Sequence, residues 1–238
     1  MKNFFKDTSG AVVLGIALLL ATFIGAFTFY QVRSLDNTLS VTGSTKEKVK
    51  ADLVKWSIST NRVVSPEEAS SAHARISDNT ARIKAFLAKN GVKPEEISIS
   101  PVFNDDYWGP NSTRQVNIRQ VITVNSKEVD RIKTISENMT ALAQEGVQFS
   151  PTTPEYSVSS LPDLRVKLLG KAVVDARARA VEIAKSTGQK VGKLKVASSG
   201  VVQVMQPNSN EVADYGQYDT STVDKDVMVT VRATFLLK

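Results

Sequence analysis

Residues 11–30 read AVVLGIALLLATFIGAFTFY, twenty residues without a charge, with Lys2 and Lys6 before them and Arg33 after. As a helix rising about 1.5 Å per residue, this run is roughly 30 Å long, the thickness of a bilayer's hydrocarbon core. The sequence beyond it is mixed and polar enough for water. The chain therefore divides into a tail at 1–10, a transmembrane helix at 11–30, a linker at 31–38 and a water-exposed domain at 39–238. A removed secretory signal is the competing reading. Its exit is poor, because Ala26-Phe27-Thr28 is the one small-x-small triplet near the end of the run. Phe27, Phe29 and Tyr30 instead suit an interfacial aromatic belt. These flanks favour an uncleaved, single-pass signal-anchor. The bases of the tail outweigh Arg33, which Asp36 offsets, so the positive-inside rule keeps the tail cytoplasmic and exports the domain.

Composition narrows the chemistry. There is no cysteine, which excludes disulfides, thiol nucleophiles and thiolate metal sites. Thirty Lys and Arg against 24 Asp and Glu leave a net charge of +6, a modest and dispersed excess that calls for no nucleic acid. About 200 residues outside the membrane suffice for one large core or two small ones.

Period-two alternation marks strands at Leu39–Gly43 and Val54–Asn61. Ser65-Pro66-Glu67-Glu68 then announces a helix, with Ser as N-cap, Pro at the first helical position and Glu closing a capping box. Its apolar stripe is Ala69, Ala72, Ile76, Ile83, Phe86 and Leu87, and Asn90-Gly91 ends it. A third strand covers Ile97–Phe103, a polar loop Asn104–Thr113, and a fourth strand Val116–Val124. A second helix buries Val129, Ile132, Ile135, Met139 and Leu142 up to Gly146, and a fifth strand holds Tyr156 and Val158. The longest helix starts at Ser160-Leu161-Pro162-Asp163 and runs to Gly188, with Leu168, Ala172, Ala176, Ala180 and Ala184 inward. Two strands near Leu194–Met205 and Val223–Leu236, joined by a loop at Gln206–Thr222, close the chain.

Leu87-Ala88-Lys89-Asn90-Gly91-Val92 and Leu142-Ala143-Gln144-Glu145-Gly146-Val147 end the first two helices of the domain alike. The fold class is α+β: a transmembrane helix, two β-α-β units in one antiparallel or mixed sheet, a long third helix and C-terminal antiparallel strands.

Lys171-Ala172-Val173-Val174-Asp175-Ala176-Arg177-Ala178-Arg179-Ala180, followed by Ala184, Gly188 and Gly192, resembles the "ALxxAxxxARxxAxxLAxxxGxxLG" run of the SIMPL-domain family. Val41-Thr42-Gly43 and Ala51-Asp52-Leu53 resemble that family's opening strands, with Ser44 in place of the usual second glycine. Glu68-Ala69, Leu87–Val92, Ile97 and Ser100 follow in the family's order, so the resemblance covers residues 39 to 238. It implies an exported bacterial envelope protein, of the kind described as a periplasmic antigen or as related to oxidative stress. Some members are similar to subunits of ring-shaped or hollow assemblies. The resemblance carries over no catalytic residue.

Four aromatics in polar loops, Tyr107, Trp108, Tyr215 and Tyr218, are candidate interface anchors. For Tyr107 and Trp108 the plainer alternative is packing back on the domain. Lys167, Lys171 and Arg179 are a candidate basic face on the long helix, or simply a solvated face with i,i+4 pairs through Asp175. His73 is the only histidine and makes no ordinary zinc site without cysteine. Asp105-Asp106 lack the pattern of a calcium loop. No catalytic set, cofactor motif or metal site stands out.

The reading is a non-enzymatic protein anchored in a bacterial inner membrane, its domain periplasmic, whose partners are the bilayer and copies of itself in a ring-like or hollow scaffold. The alternative is a monomeric or small-oligomer binding module that captures a partner or envelope polymer through its aromatic loops.

Overall fold

The computed structural model describes residues 4–34, 37–109, 113–209 and 213–238. Helix α1 (Phe4–Ser34) contains the apolar run and continues a turn beyond Tyr30. Its segment Val12–Arg33 is long and apolar enough to cross a membrane and is buried nowhere against the protein. The chain forms two compact units. One takes the chain up to Thr45 together with Lys167–Gly200 and Val229–Lys238; the other takes Lys46–Val166 and Val201–Met228.

The second unit is built on a six-stranded sheet. Its strands are β2 (Leu53–Val64), β3 (Ile97–Ile99), β4 (Phe103–Trp108), β5 (Arg114–Ser126), β6 (Ser150–Pro151) and β7 (Glu155–Ser157). Strand β5 is central: it pairs antiparallel with β2 from Val54↔Ser126 to Val64↔Val116, and with β3 and then β4 on its other side. Strands β6 and β7 pair antiparallel with the far side of β2. Helix α2 (Ala69–Lys89) connects β2 to β3, while α3 (Val129–Glu137) and α4 (Thr140–Gln144) connect β5 to β6. With spatial order β3-β5-β2-β7, this is the split β-α-β arrangement of ferredoxin-like folds.

Register explains its core. Trp56 opposes Val124 and Ile58 opposes Ile122, and directly opposed residues share a face. That face meets Ile83 and Leu87 of α2 and Ile132 and Ile135 of α3, all buried. Trp56 satisfies its indole by donating Nε1–H to the Thr152 carbonyl at 2.9 Å. The two matching helix ends also close alike: Val92 N–H donates to the Leu87 carbonyl and Val147 N–H to the Leu142 carbonyl. The glycine before each valine is left-handed, Gly91 at φ 83° and Gly146 at φ 81°, as a Schellman end requires.

Three local expectations are corrected. Ser65 makes no side-chain cap; Pro66–Glu68 is a 3₁₀ turn, and α2 starts at Ala69. The second helix breaks at Asn138, whose amide donates to the Thr134 carbonyl at 2.7 Å and competes with continuation. Residues 104–108 are strand rather than loop, with Asp106 paired to Arg114 at 3.1 Å and Asp105 to Arg119 at 3.9 Å across the hairpin.

The first unit packs helix α5 (Leu161–Ser186), from Lys167 onward, on a three-stranded sheet. The sheet order is β1 (Thr38–Lys50), β9 (Asp224–Leu237), β8 (Val191–Met205). Leu237 N–H donates to the Asn37 carbonyl, and Lys190 and Lys238 exchange both backbone bonds, so β9 runs antiparallel to both neighbours. Leu168, Ala172, Ala176, Ala180 and Ala184 are all buried, as the small-residue stripe predicts. Gly43 gives the reason for that stripe. A Cβ there would lie 2.2 Å from the Ala172 carbonyl oxygen and 2.4 Å from Ala176 N, so the helix backbone touches the strand. Val41, Ala176, Ala180, Ala233 and Phe235 form the resulting core.

Candidate functional site

The exposed sheet edges are the features that could carry function, and the sequence builds each in a recognisable way. In the six-stranded sheet, β3 and β4 form one edge along β5, interrupted at Ser100-Pro101-Val102. Proline lacks the N–H needed to continue a ladder. Ser100 replaces it: its Oγ accepts from Val121 N–H at 3.0 Å while its N–H donates to the Val121 carbonyl at 2.9 Å. Apolar side chains stand along this edge, with Ile99, Val102 and Phe103 exposed and Trp108 65% exposed at the hairpin's end. Arg119 lies 5.8 Å from the centre of the Phe103 ring, a cation–π distance that fixes that ring beside the Asp105–Arg119 pair.

In the three-stranded sheet, β1 and β8 are the two edge strands, and β8 is open over its first half. Its residues from Lys193 to Ser199 are all exposed, Leu194 and Val196 among them. Two lysines, Lys193 and Lys195, punctuate this edge, a common guard against indiscriminate pairing.

The four aromatics expected as anchors separate into distinct roles. Trp108 is in strand β4, opposite Arg114, and is exposed rather than packed back on the domain. The Tyr107 backbone pairs with Gln115, and its side chain lies outside the described residues. Tyr215 is 98% exposed in a turn closed by Gly216 N–H to the Ala213 carbonyl. Tyr218 is structural: its hydroxyl oxygen accepts the Val158 N–H at 3.1 Å. The Trp108 pair stands on the β4–β5 hairpin and the Tyr215 pair in the loop before β9, so the sequence grouping covers two separate surfaces.

The last residues of that loop are tied together around Asp219. Asp219 accepts from the backbone and hydroxyl groups of both Ser221 and Thr222, and Lys225 Nζ lies 3.4 Å away. Burial alone would raise the Asp219 carboxyl; the Thr222 and Ser221 bonds and the Lys225 charge hold it well below the usual range. Burial pushes the fully enclosed Lys225 ammonium down, and Asp219 opposes that shift. Asp226 is lowered chiefly by the Lys46 ammonium at 2.8 Å.

On α5, Lys167 and Lys171 are exposed, and Arg179 pairs with Asp175 at 2.8 Å. Asp175 also takes the Ser44 N–H at 2.8 Å, which ties the helix to β1 and holds its carboxyl below the ordinary value. His73 is half-buried on α2. Among the described residues, no group of three His, Asp or Glu side chains is placed to hold a metal ion.

The comparison with protein families matches this architecture. The SIMPL family model, described as a protein of unknown function (DUF541), matches residues 39–235. The chain belongs to the SIMPL family. The match begins at the first residues of β1 and ends within β9, so the SIMPL region draws on both compact units and leaves α1 outside it. No curated protein matches the chain. A SIMPL domain behind one apolar N-terminal helix fits a membrane-anchored envelope protein, that helix being an anchor or a signal peptide.

Proposed function

We propose that this SIMPL protein is a non-enzymatic scaffold of the bacterial cell envelope. It is held in the inner membrane by an uncleaved α1, with its N-terminus cytoplasmic and its domain periplasmic, and it assembles with copies of itself. The observation that supports assembly is the β3/β4 edge, where an open strand carries Phe103 and Trp108 into solvent. A second copy offers backbone partners for that edge and an apolar surface for its side chains. The anchor assists by orienting every copy alike and confining it to a plane, which raises the effective concentration for further contacts.

The capture of a foreign partner remains as the second reading because Tyr215 stands almost wholly in water. One comparison separates the two. Trp108→Ser should shrink or dissociate the detergent-extracted particle and leave the far-UV circular dichroism intact, while Tyr215→Ser leaves the particle unchanged. A Trp108→Ser particle of undiminished mass removes the hairpin edge from the assembly.

A further inference from the structure

We propose that a cavity between α2 and the distal end of β2 is a binding site for a phosphate group. The cavity has a volume of about 360 Å³ and is lined by Arg62, Arg75, Asp78, Asn79 and Arg82, together with Glu145. All of these residues belong to the second unit. Arg75, Asp78, Asn79 and Arg82 stand at i, i+3, i+4 and i+7 of one helix, which places them on one face. Arg62 comes to the same place from the sheet. It opposes Ile118 in register, and Ile118 packs beneath Ala72 and Ile76 of α2, so Arg62 leaves the sheet on the helix side. Strand β6 covers β2 only at Ile58 and Ser59, which leaves β2 around Arg62 open on that flank.

The donors outnumber their acceptors. Arg82 is occupied, with Nε donating to Asp78 Oδ2 at 3.0 Å and Nη1 3.5 Å from the Glu145 carbonyl oxygen. Arg62 Nε is buried and has no hydrogen-bond partner. Arg75 is exposed and makes no ion pair among the described residues. A guanidinium presents five N–H donors in a planar fork suited to phosphate oxygens. Two guanidinium groups without acceptors, one of them partly withdrawn from water, thus face a single opening. Asn79 does not compete for a ligand, because its amide donates to the Gln148 carbonyl at 3.2 Å and holds the wall of the cavity. A phosphate group brings several acceptor oxygens and a charge that both arginines favour. Glu145 also lines the cavity, so its negative charge opposes an anion, and its removal should tighten binding.

The test uses the full chain in uncharged detergent micelles at fixed ionic strength, titrated by calorimetry. One arm uses inorganic phosphate and the other dihexanoyl phosphatidylglycerol. Saturable binding of either probe at one site per chain, weakened about tenfold or more by Arg75→Gln and strengthened by Glu145→Gln, is the expected result. Inorganic phosphate binding as tightly as the lipid assigns the site to free phosphate; tighter lipid binding assigns it to a headgroup. Arg75 is exposed, so its replacement should fold, and Arg75→Lys repeats the comparison with the charge kept and the fork removed. No saturable binding of either probe, or affinities that Arg75→Gln leaves unchanged, overturns the assignment.

Discussion

The two units solve the same problem, a helix on an antiparallel sheet, with opposite materials. In the second unit, α2 and α3 press isoleucine and leucine side chains onto Trp56, Ile58, Ile122 and Val124, and the gap between the layers is filled by volume. In the first, α5 presents Ala172, Ala176 and Ala180 to a strand whose Gly43 has no side chain, and the gap is removed by close approach. A volume-filled core loses stability when atoms are taken away. A contact-closed core loses it when atoms are added. The glycine and alanine pattern that carries the family resemblance is therefore a packing requirement of one unit, with no counterpart in the other.

Gly43→Val should give the largest effect. Its Cβ would lie within 2.2–2.7 Å of backbone and side-chain atoms of α5, and a helix backbone has little freedom to yield. The expected cost is about 4 kcal/mol or more, read as loss of the folded first unit in a denaturant titration. A small change in the transition midpoint would show that α5 can slide, and the comparison between the units would collapse. Ile83→Ala should come next, at about 2–5 kcal/mol, because it opens a hole where Ile83 is fully buried. A cost well under this range would mean that the second unit refills its core by collapse.

Acid should produce a smaller, graded effect that also distinguishes the units. Asp52, Asp219 and Asp226 of the second unit and Asp175 of the first all have folded-state values lowered by hydrogen bonds and ion pairs. Lowered carboxylates contribute stability that is complete above the unfolded value of about 3.9 and is lost as pH falls through the folded values. The melting temperature should hold down to about pH 5 and then decline, with amide exchange rising first in the second unit, where all but one of the lowered carboxylates lie, Glu67 and Glu96 included. An equal loss of protection in both units would show that the acid response is global.

Much of this architecture is legible in residue order. The burial of Ala172, Ala176, Ala180 and Ala184 follows from helical spacing alone, and the matched Leu-Ala-x-x-Gly-Val ends foretell the two left-handed glycines. Strand β4 is hidden because Asp105 and Asp106 look like turn residues; the ladder with β5 makes them strand residues and sets each beside an arginine of that strand. The break at Asn138 is masked by an apolar stripe that runs from Ile132 and Ile135 before it to Met139 and Leu142 after it. Tyr218 reads as an anchor because its hydroxyl's partner, Val158, is 60 residues away. The arginine cavity leaves half a signal: Arg75, Asp78 and Arg82 share a helix face in the sequence, but Arg62 joins them only through the register of β2.

The central claim is the proposal that this SIMPL chain is anchored and works as an assembly of identical copies. Its most direct test is the protein mass of the particle extracted in mild detergent, measured by sedimentation with the detergent contribution subtracted. The account predicts one discrete species at a multiple of the 25.9 kDa chain mass, visible as a closed particle by negative-stain microscopy. A monodisperse particle holding a single chain at every concentration would contradict it.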